Sequence, residues 1–324
     1  MNHALLVVLI ASGVAYGTPL LFASLGELLA ERSGVLNLGV EGMMLVGAVM
    51  GFWAEQRLTI GSGAVSLILG LVVAAFAAAV TAAIHAFLVI TLRANQIVSG
   101  LALTIFAGGI GLSSYLGTDL NLADQPANHQ FHAFLPSAMQ NWPIVGPIVF
   151  GQTPLVYLSW VCVIAVAYYL MRTRPGLNVR SVGEAPGAAD AMGINVVKYR
   201  YVHTIVGGAF AGVAGATFSL AITPQWVAGD SLVQNSGWIA IALVIFAFWR
   251  PELCVVGAYF FGSLQALAPE LQARNVNLGP TELWTNAMPY AATVVVLVLV
   301  SWRGAARRLG APAALGTPYA REEH

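Results

Sequence analysis

The chain has a single lysine, Lys198, in 324 residues, and Tyr199 follows it. A Gly-x-x-x-x-Gly-Lys-Ser/Thr loop is thereby excluded, and with it ATP binding by that route. No His-Glu-x-x-His pattern offers a zinc site, and no Gly-x-Ser-x-Gly turn offers a nucleophile. Cysteine is nearly absent: Cys162 and Cys254 lie far apart in apolar runs and read as small core residues. Charge is scarce as well, at 9% of residues against roughly 25% in soluble domains. The formal net charge of +0 gives no reason to expect a nucleic-acid polymer as a partner. His129 and His132, three apart in a polar segment, read as solvated side chains. These absences point away from an enzyme and from a resident metal or cofactor.

What is present is apolar sequence, 58% of the chain, with a mean hydropathy of +0.77. Runs of about 20 apolar residues predict membrane helices, here near 4–29, 36–54, 63–90, 96–117, 153–171, 201–222, 237–249, 253–269 and 286–302. The fold class is therefore all-α: a polytopic integral membrane protein with about eight or nine transmembrane helices, some broken or re-entrant. Gly17 and Pro19 interrupt the first run, and the seventh is too short to cross alone. Residues 1–302 read as one transmembrane domain and 303–324 as a short tail, too small and Pro/Ala-rich for a domain and expected to fray.

The longest polar interval between spans runs from Arg172 to Arg200. Pro186 suits a first helical position, Ala188, Ala189, Ala191 and Met192 continue the helix, and Gly193 can end it in the left-handed conformation. A helix of about two turns is marginal alone, so it reads as a docking knob held by its surroundings. The interval is also the most basic, and basic loops stay on the cytoplasmic side. Counting spans outward places twelve basic residues inside and two, Arg57 and Arg274, outside. The N-terminus then faces outward and the C-terminus inward. The outer segment from Thr118 to Gln152 is long enough to carry a surface helix or a contact surface.

Gly47 with Gly51, Gly208 with Gly212, Ala211 with Gly215 and Ala258 with Gly262 are small-xxx-small pairs that let helices approach closely. Intramembrane polar residues face protein or water because lipid exposure is costly. They are Glu27, Asn37, Glu41, His85, Asn95, Gln96, Asn235 and Asn286. Asn37 also suits a cap of the second helix, with Glu41 at its positive end. No string of carboxylates or histidines crosses the membrane, which disfavours ion coupling. A charged break at Glu31-Arg32 and another at Arg250-Pro251, each followed by a Gly-containing helix, form a weak internal echo.

The segment GLNVRSVGEAPGAADAMGINVVKYR resembles the cytoplasmic coupling segment of ATP-binding cassette (ABC) importer permeases of the branched-chain amino acid and simple-sugar superfamily. Four further stretches agree in order: TPLLFASLGELLAERSGVLNLGVEGMMLVGA, ANQIVSGLAL, GWIAIALVIFAFWRPE and MPYAATVVVL. The opening ERSGVLNLGVEGMM resembles the nucleoside branch most. The resemblance implies a permease subunit of the bacterial cytoplasmic (inner) membrane that imports nucleosides. ATP and Mg are used by a separate cytoplasmic ABC ATPase, a second permease subunit completes a heterodimer within the lipid, and an extracytoplasmic binding protein delivers substrate. It further implies ATPase contacts at Gly183, Glu184, Pro186, Ala188, Ala189, Asp190 and Gly193, and a substrate pathway near Asn37, Gly39, Glu41, Asn95 and Gln96. A simple sugar or a branched-chain amino acid is the alternative substrate, and an ion-coupled secondary carrier the alternative mechanism. Thr104 stands where relatives usually place Asn, and Ala247 and Phe248 where Gly and Arg are typical.

Overall fold

The computed structural model describes residues 3–58, 61–108, 111–122, 126–226, 233, 235–274, 287–288, 291–295, 298 and 310–320. Among these the chain is helical, with one isolated antiparallel bridge between Pro126 and Gln225. The first helices are α1 (His3–Arg32), α2 (Val40–Arg57), α3 (Gly63–Ala86), α4 (Gln96–Ala107) and α5 (Leu112–Asp119). After the single turn α6 (Ser137–Gln140) come α7 (Pro154–Arg172), α8 (Arg174–Glu184), α9 (Pro186–Ala191), α10 (Val196–Thr217), α11 (Ser236–Phe246) and α12 (Pro251–Ala273). Short π-helical turns extend α3 to Thr91 and α10 to Ile222, and a third covers Gly146–Phe150 just before α7.

Among the described residues six segments are long and apolar enough to cross a membrane: Leu5–Arg32, Gly63–Thr91, Gln96–Asp119, Pro154–Arg172, Val196–Ile222 and Pro251–Ala273. The chain is therefore the expected all-α, multi-span membrane protein. α2 carries Glu41, Glu55 and Arg57 and is almost wholly buried, so protein rather than lipid surrounds it. α11 is the expected short element, ending at Phe246 before Phe248 and Trp249, both at positive φ. The expected span at 286–302, Asn286 included, falls mostly outside the described residues.

The hub is α10, which has small residues on several faces. A Cβ on Gly47 would lie 2.4 Å from the Gly212 Cα, and one on Gly212 would lie 2.3 Å from the Ala74 carbonyl oxygen. α2 and α3 thus meet α10 at backbone distance. Lipid supplies no hydrophobic drive for such contacts, so their stability comes from van der Waals packing. α1 packs on α10 with Gly26 against Gly207, and on α12 where Gly17 and Gly262 meet. That second contact explains why Gly17 does not break the first helix: α1 is continuous through Pro19, and Gly17 is a packing position.

Two local structures differ from expectation. The start of the polar interval is a helix, α8, rather than loop. Thr173 caps it by accepting from the Gly176 N–H at 3.1 Å, and Pro175 occupies its first turn. The tail does not fray over residues 310–320. Ala314 and Ala320 are buried, and the backbone there bonds to Gly34 at the end of α1, to α8 and to α10.

The two echoed breaks touch. Arg32, at the end of α1, donates to the Trp249 carbonyl through Nε (3.3 Å) and Nη2 (2.8 Å). The Trp249 indole N–H donates to the Glu31 carboxylate. Arg32, Arg180, Arg200 and Arg250 gather at this end of the bundle. At the opposite end Glu55, fully buried, accepts from the backbone N–H groups of Asn128 and His129 and pairs with the His129 ring at 3.0 Å. His129 is therefore a partner of Glu55 that pins the Thr118–Gln152 segment, not a free solvated side chain. Among its described residues that segment holds the short turns α6 and Gly146–Phe150 rather than a full surface helix.

Candidate functional site

The α1–α2 connection, residues 33–39, is irregular backbone inside the protein. Buried backbone groups must find partners, and non-helical chain at membrane depth survives only where protein or water satisfies it. Three helices supply the partners. The Asn37 N–H donates to Glu27 Oε1 of α1 at 3.1 Å. The Leu36 N–H donates to Gln96 Oε1 at the start of α4 (2.7 Å), while its carbonyl meets His85 Nε2 of α3 (3.3 Å). Thr104 donates its hydroxyl to the Leu38 carbonyl at 3.0 Å. His85 shares its other ring nitrogen with Ser99 Oγ at 3.0 Å. Thr104 thus has a definite structural role, holding the connection from the middle of α4.

Of the residues expected near a substrate pathway, Asn37, Glu41 and Gln96 are buried and Asn95 is exposed. Asn37 Oδ1 accepts from the Gly39 N–H at 3.1 Å, which stiffens the turn into α2. Gly39 is the first flanking residue of α2, and Gly100 of α4 packs on it. Glu41 Oε2 accepts from the Gly237 N–H at 2.6 Å. One carboxylate therefore faces the N-terminal ends of both α2 and α11, where helix dipoles favour negative charge. Asn95 caps α4 by accepting from the Val98 N–H at 3.1 Å. Gln96 Nε2 is buried with no hydrogen-bond partner among the described residues, a spare donor beside the connection.

Gln96→Leu tests this arrangement, because it leaves the partly buried Leu36 N–H unpaired. The expected loss is about 1–3 kcal/mol, read as a lowered midpoint in detergent-solubilised thermal unfolding. Thr104→Val, which keeps the shape and orphans a carbonyl, is expected to lose about 1 kcal/mol. An unchanged midpoint in both would remove the bracing role.

The second constellation is α9 and its seat. The helix spans Pro186–Ala191, with Met192 as its cap and Gly193 at φ +80, the left-handed end that a glycine allows. Its anchor is Ala189, 4% exposed, packed with Val182 of α8 and Val196 of α10. Glu184, Ala188 and Gly193 are exposed, Pro186 and Asp190 are half-buried, and Gly183 is buried beneath them. The structure thus gathers all seven expected ATPase contacts on one projection, with Gly183 and Ala189 seating it and the others presenting it. A shallow groove lined by Leu177, Arg180, Glu184, Ala188 and Met192 runs alongside, and Met192 is 82% exposed. Among the described residues no three His, Cys, Asp or Glu side chains form a group able to hold a metal ion.

Sequence reasoning misses three participants. Glu31 reads in the sequence only as part of a charged break, yet its carboxylate is buried and holds Trp249. Glu55 carries no signal that singles it out, and Arg200 counts only as loop charge although it is buried in α10. All three lie near helix ends, where sequence gives no signal separating a buried charge from a solvated one.

A family model described as branched-chain amino acid transport system / permease component matches residues 9–300. TsgC13 of Haloferax volcanii, provisionally named a glucose ABC transporter permease, is 40% identical over 97% of this chain and 98% of its own length. The nucleoside ABC transporter permease NupC of Lactococcus lactis is 33% identical, covering 91% of this chain and 92% of its own. The guanosine ABC transporter permease NupQ of Bacillus subtilis is 32% identical, covering 97% of each. No solved structure matches. A transporter subunit and not an enzyme, the chain belongs to the branched-chain amino acid transport permease family and is an ABC transporter permease of its simple-sugar and nucleoside branch.

Proposed function

We propose that this chain is the membrane-spanning half of an importer that moves nucleosides into the cytoplasm. A separate cytoplasmic ATPase docks on α9 and consumes ATP and Mg; this chain itself carries no cofactor. A second, different permease subunit and an extracytoplasmic binding protein complete the assembly. The observation that carries the reading is the seated projection of α9, a helix too short to be stable alone yet fixed from below by Ala189 and exposed along its top. The gathering of Arg32, Arg180, Arg200 and Arg250 at the same end as α9 supports a cytoplasmic face there. By the same rule the N-terminus faces outward and the C-terminus inward.

The substrate pathway runs beside the buried connection, framed by Asn37, Gly39, Glu41, Asn95 and Gln96. Gln96 Nε2 is a donor available to a polar, uncharged solute. Nucleoside as the cargo is supported by two relatives of that printed specificity, each matched over nine-tenths or more of both chains. Glucose is the second reading, favoured by the 40% identity to TsgC13.

The test is ATP-dependent uptake into vesicles holding this chain with its co-encoded partners, with labelled nucleosides, glucose, ribose and leucine offered in parallel. Saturable nucleoside uptake that requires both ATP and binding protein is expected. Uptake of a sugar or leucine instead replaces the substrate and keeps the mechanism, and uptake without ATP overturns the mechanism.

A further inference from the structure

We propose that residues 310–320 are a clip that ties the α9 projection to the α1–α2 connection, with Arg200 as its positioning residue. The inference rests on the reading of α9 as the ATPase contact and adds the route by which its movement reaches the transmembrane core.

The clip crosses three elements within a few residues. Arg32 Nη1 donates to the Gly310 carbonyl at 3.2 Å. The Ala313 N–H donates to Glu184 Oε2 at 3.3 Å, and the Ala314 N–H to the Gly183 carbonyl at 2.9 Å, both at the end of α8. The Gly316 N–H then donates to the Gly34 carbonyl at 3.2 Å, in the turn that leaves α1. Arg200 Nη1 of α10 donates to the Thr317 carbonyl at 3.0 Å. The segment is folded on itself as well: the Thr317 N–H and hydroxyl both donate to the Ala314 carbonyl, and Gly316 turns at φ +76. Its last described residues reach the knob, where Tyr319 packs on the cluster of Val182, Ala189 and Val196. The side chains beneath α9 and the backbone beside Gly34 are therefore joined through one short stretch of chain.

Arg200 makes the junction specific. It is 2% exposed and the largest fully buried side chain among the described residues. A guanidinium is expensive to bury unless its donors and charge are answered. Here one donor is answered by Thr317, and Tyr319 lies within its electrostatic reach. Gly34, at φ +90, leaves room for the guanidinium, since a Cβ there would lie 3.0 Å from Nη2. The turn out of α1, the clip and α10 thus converge on one side chain. Beyond Gly34 lies the connection that Gln96, His85 and Thr104 brace. A pull on α9 is passed through Tyr319 and the Ala313–Thr317 bonds to Gly34, at the mouth of that connection.

The experiment uses the complete importer in vesicles and reads basal ATP hydrolysis, its stimulation by loaded binding protein, and substrate imported per ATP consumed. The variants are a chain ending after residue 309, Arg200→Met and Tyr319→Ala, with Ala189→Trp as the reference for a lost ATPase contact. Expected are complexes that retain the ATPase and hydrolyse ATP within about twofold of normal, while import per ATP falls roughly tenfold for the first two and about threefold for Tyr319→Ala. A purely structural role would lower the amount of complex without moving that ratio. An unchanged ratio in assembled complexes overturns the clip. So does failure of the first two variants to assemble while Tyr319→Ala couples normally. If Ala189→Trp also couples normally, the ATPase-contact reading is what fails; if it uncouples and the others do not, only the clip does.

Discussion

Gly212→Leu is expected to eliminate the folded permease. Residue 212 sits where α10 touches both α2 and α3 at backbone distance, with the Gly47 face on one side and the Ala74 carbonyl oxygen on the other. These contacts are backbone, not flexible side-chain ends, so a new side chain cannot be accommodated by a rotamer change. It must push apart helices that also carry Met43, Met44, Ala48, Ala78 and Ala211 in the same buried cluster. Overpacking of well-filled interiors costs typically about 1–3 kcal/mol, and separating a three-helix seam exceeds that, to about 4–5 kcal/mol or more. The measurement is monodisperse protein recovered in mild detergent, with a thermal midpoint for whatever survives. Gly61→Leu serves as the control, because a Cβ there meets nothing within 4 Å; its positive φ of +77 limits its cost to about 1–2 kcal/mol. Normal yield for Gly212→Leu would refute the packing described for α10.

Ala189→Trp should leave the membrane domain intact and disconnect it from its energy source. Ala189 is 4% exposed and packs into the small cluster of Val182 and Val196, which an indole would have to displace. The six-residue helix has only a few backbone hydrogen bonds of its own, too few to hold its place without that seat. Ejecting it alters the position of Glu184, Ala188 and Asp190 together. Loss of a shared rigid projection removes the whole coupling rather than one contact, and the expected drop in ATP-driven uptake is about 100-fold. Co-purification of the ATPase, substrate-stimulated hydrolysis and uptake are read on the same preparation. Glu184→Arg reverses an exposed charge and removes the acceptor of the Ala313 N–H, but it leaves the seat of α9 in place and is expected to lower stimulation by a smaller factor. If uptake with Ala189→Trp stays within about twofold of normal, α9 is not the route of coupling.

Local rules explain why α9 is readable from sequence and its neighbours are not. Pro186 at the first turn and Gly193 at the left-handed end are punctuation that acts within a few residues, and the helix lies where they put it. The same punctuation exists for α8 in Thr173 and Pro175, but a polar, basic composition masks it. α10 begins at Val196, capped by Asn195 accepting from the Lys198 N–H, several residues before its apolar run. A cap, not hydropathy, sets that boundary.

Within the buried belt, the residue types are visible in the sequence but their roles are not. Asn37 could be expected to cap α2 or to touch cargo. In the fold it braces the turn at Gly39 while its own N–H is held by Glu27. Thr104 stands in the sequence as a departure from its relatives, and only the fold shows that the Leu38 carbonyl depends on it. The bonds made by Glu27 and Thr104 join partners 10 and 66 residues apart in sequence, which no periodicity encodes.

The sequence by itself determined the solvent of this protein and its class. Hydropathy marks the apolar helices, though of the nine runs it picks out only six are spans among the described residues; charge placement marks one end of the bundle, and small residues at spacing four reserve the close helix contacts. The ordered motifs specify the family. These signals are legible because each acts through local backbone geometry or through the cost of placing a group in hydrocarbon. Tertiary structure alone decided that the tail is folded against α1, α8 and α10, that Arg200 is buried beneath it, and that Glu31 and Glu55 are interior carboxylates. Backbone hydrogen bonds carry little sequence specificity, so the Ala314–Gly183 and Gly316–Gly34 bonds exist only once α1, α8 and α10 have been brought together.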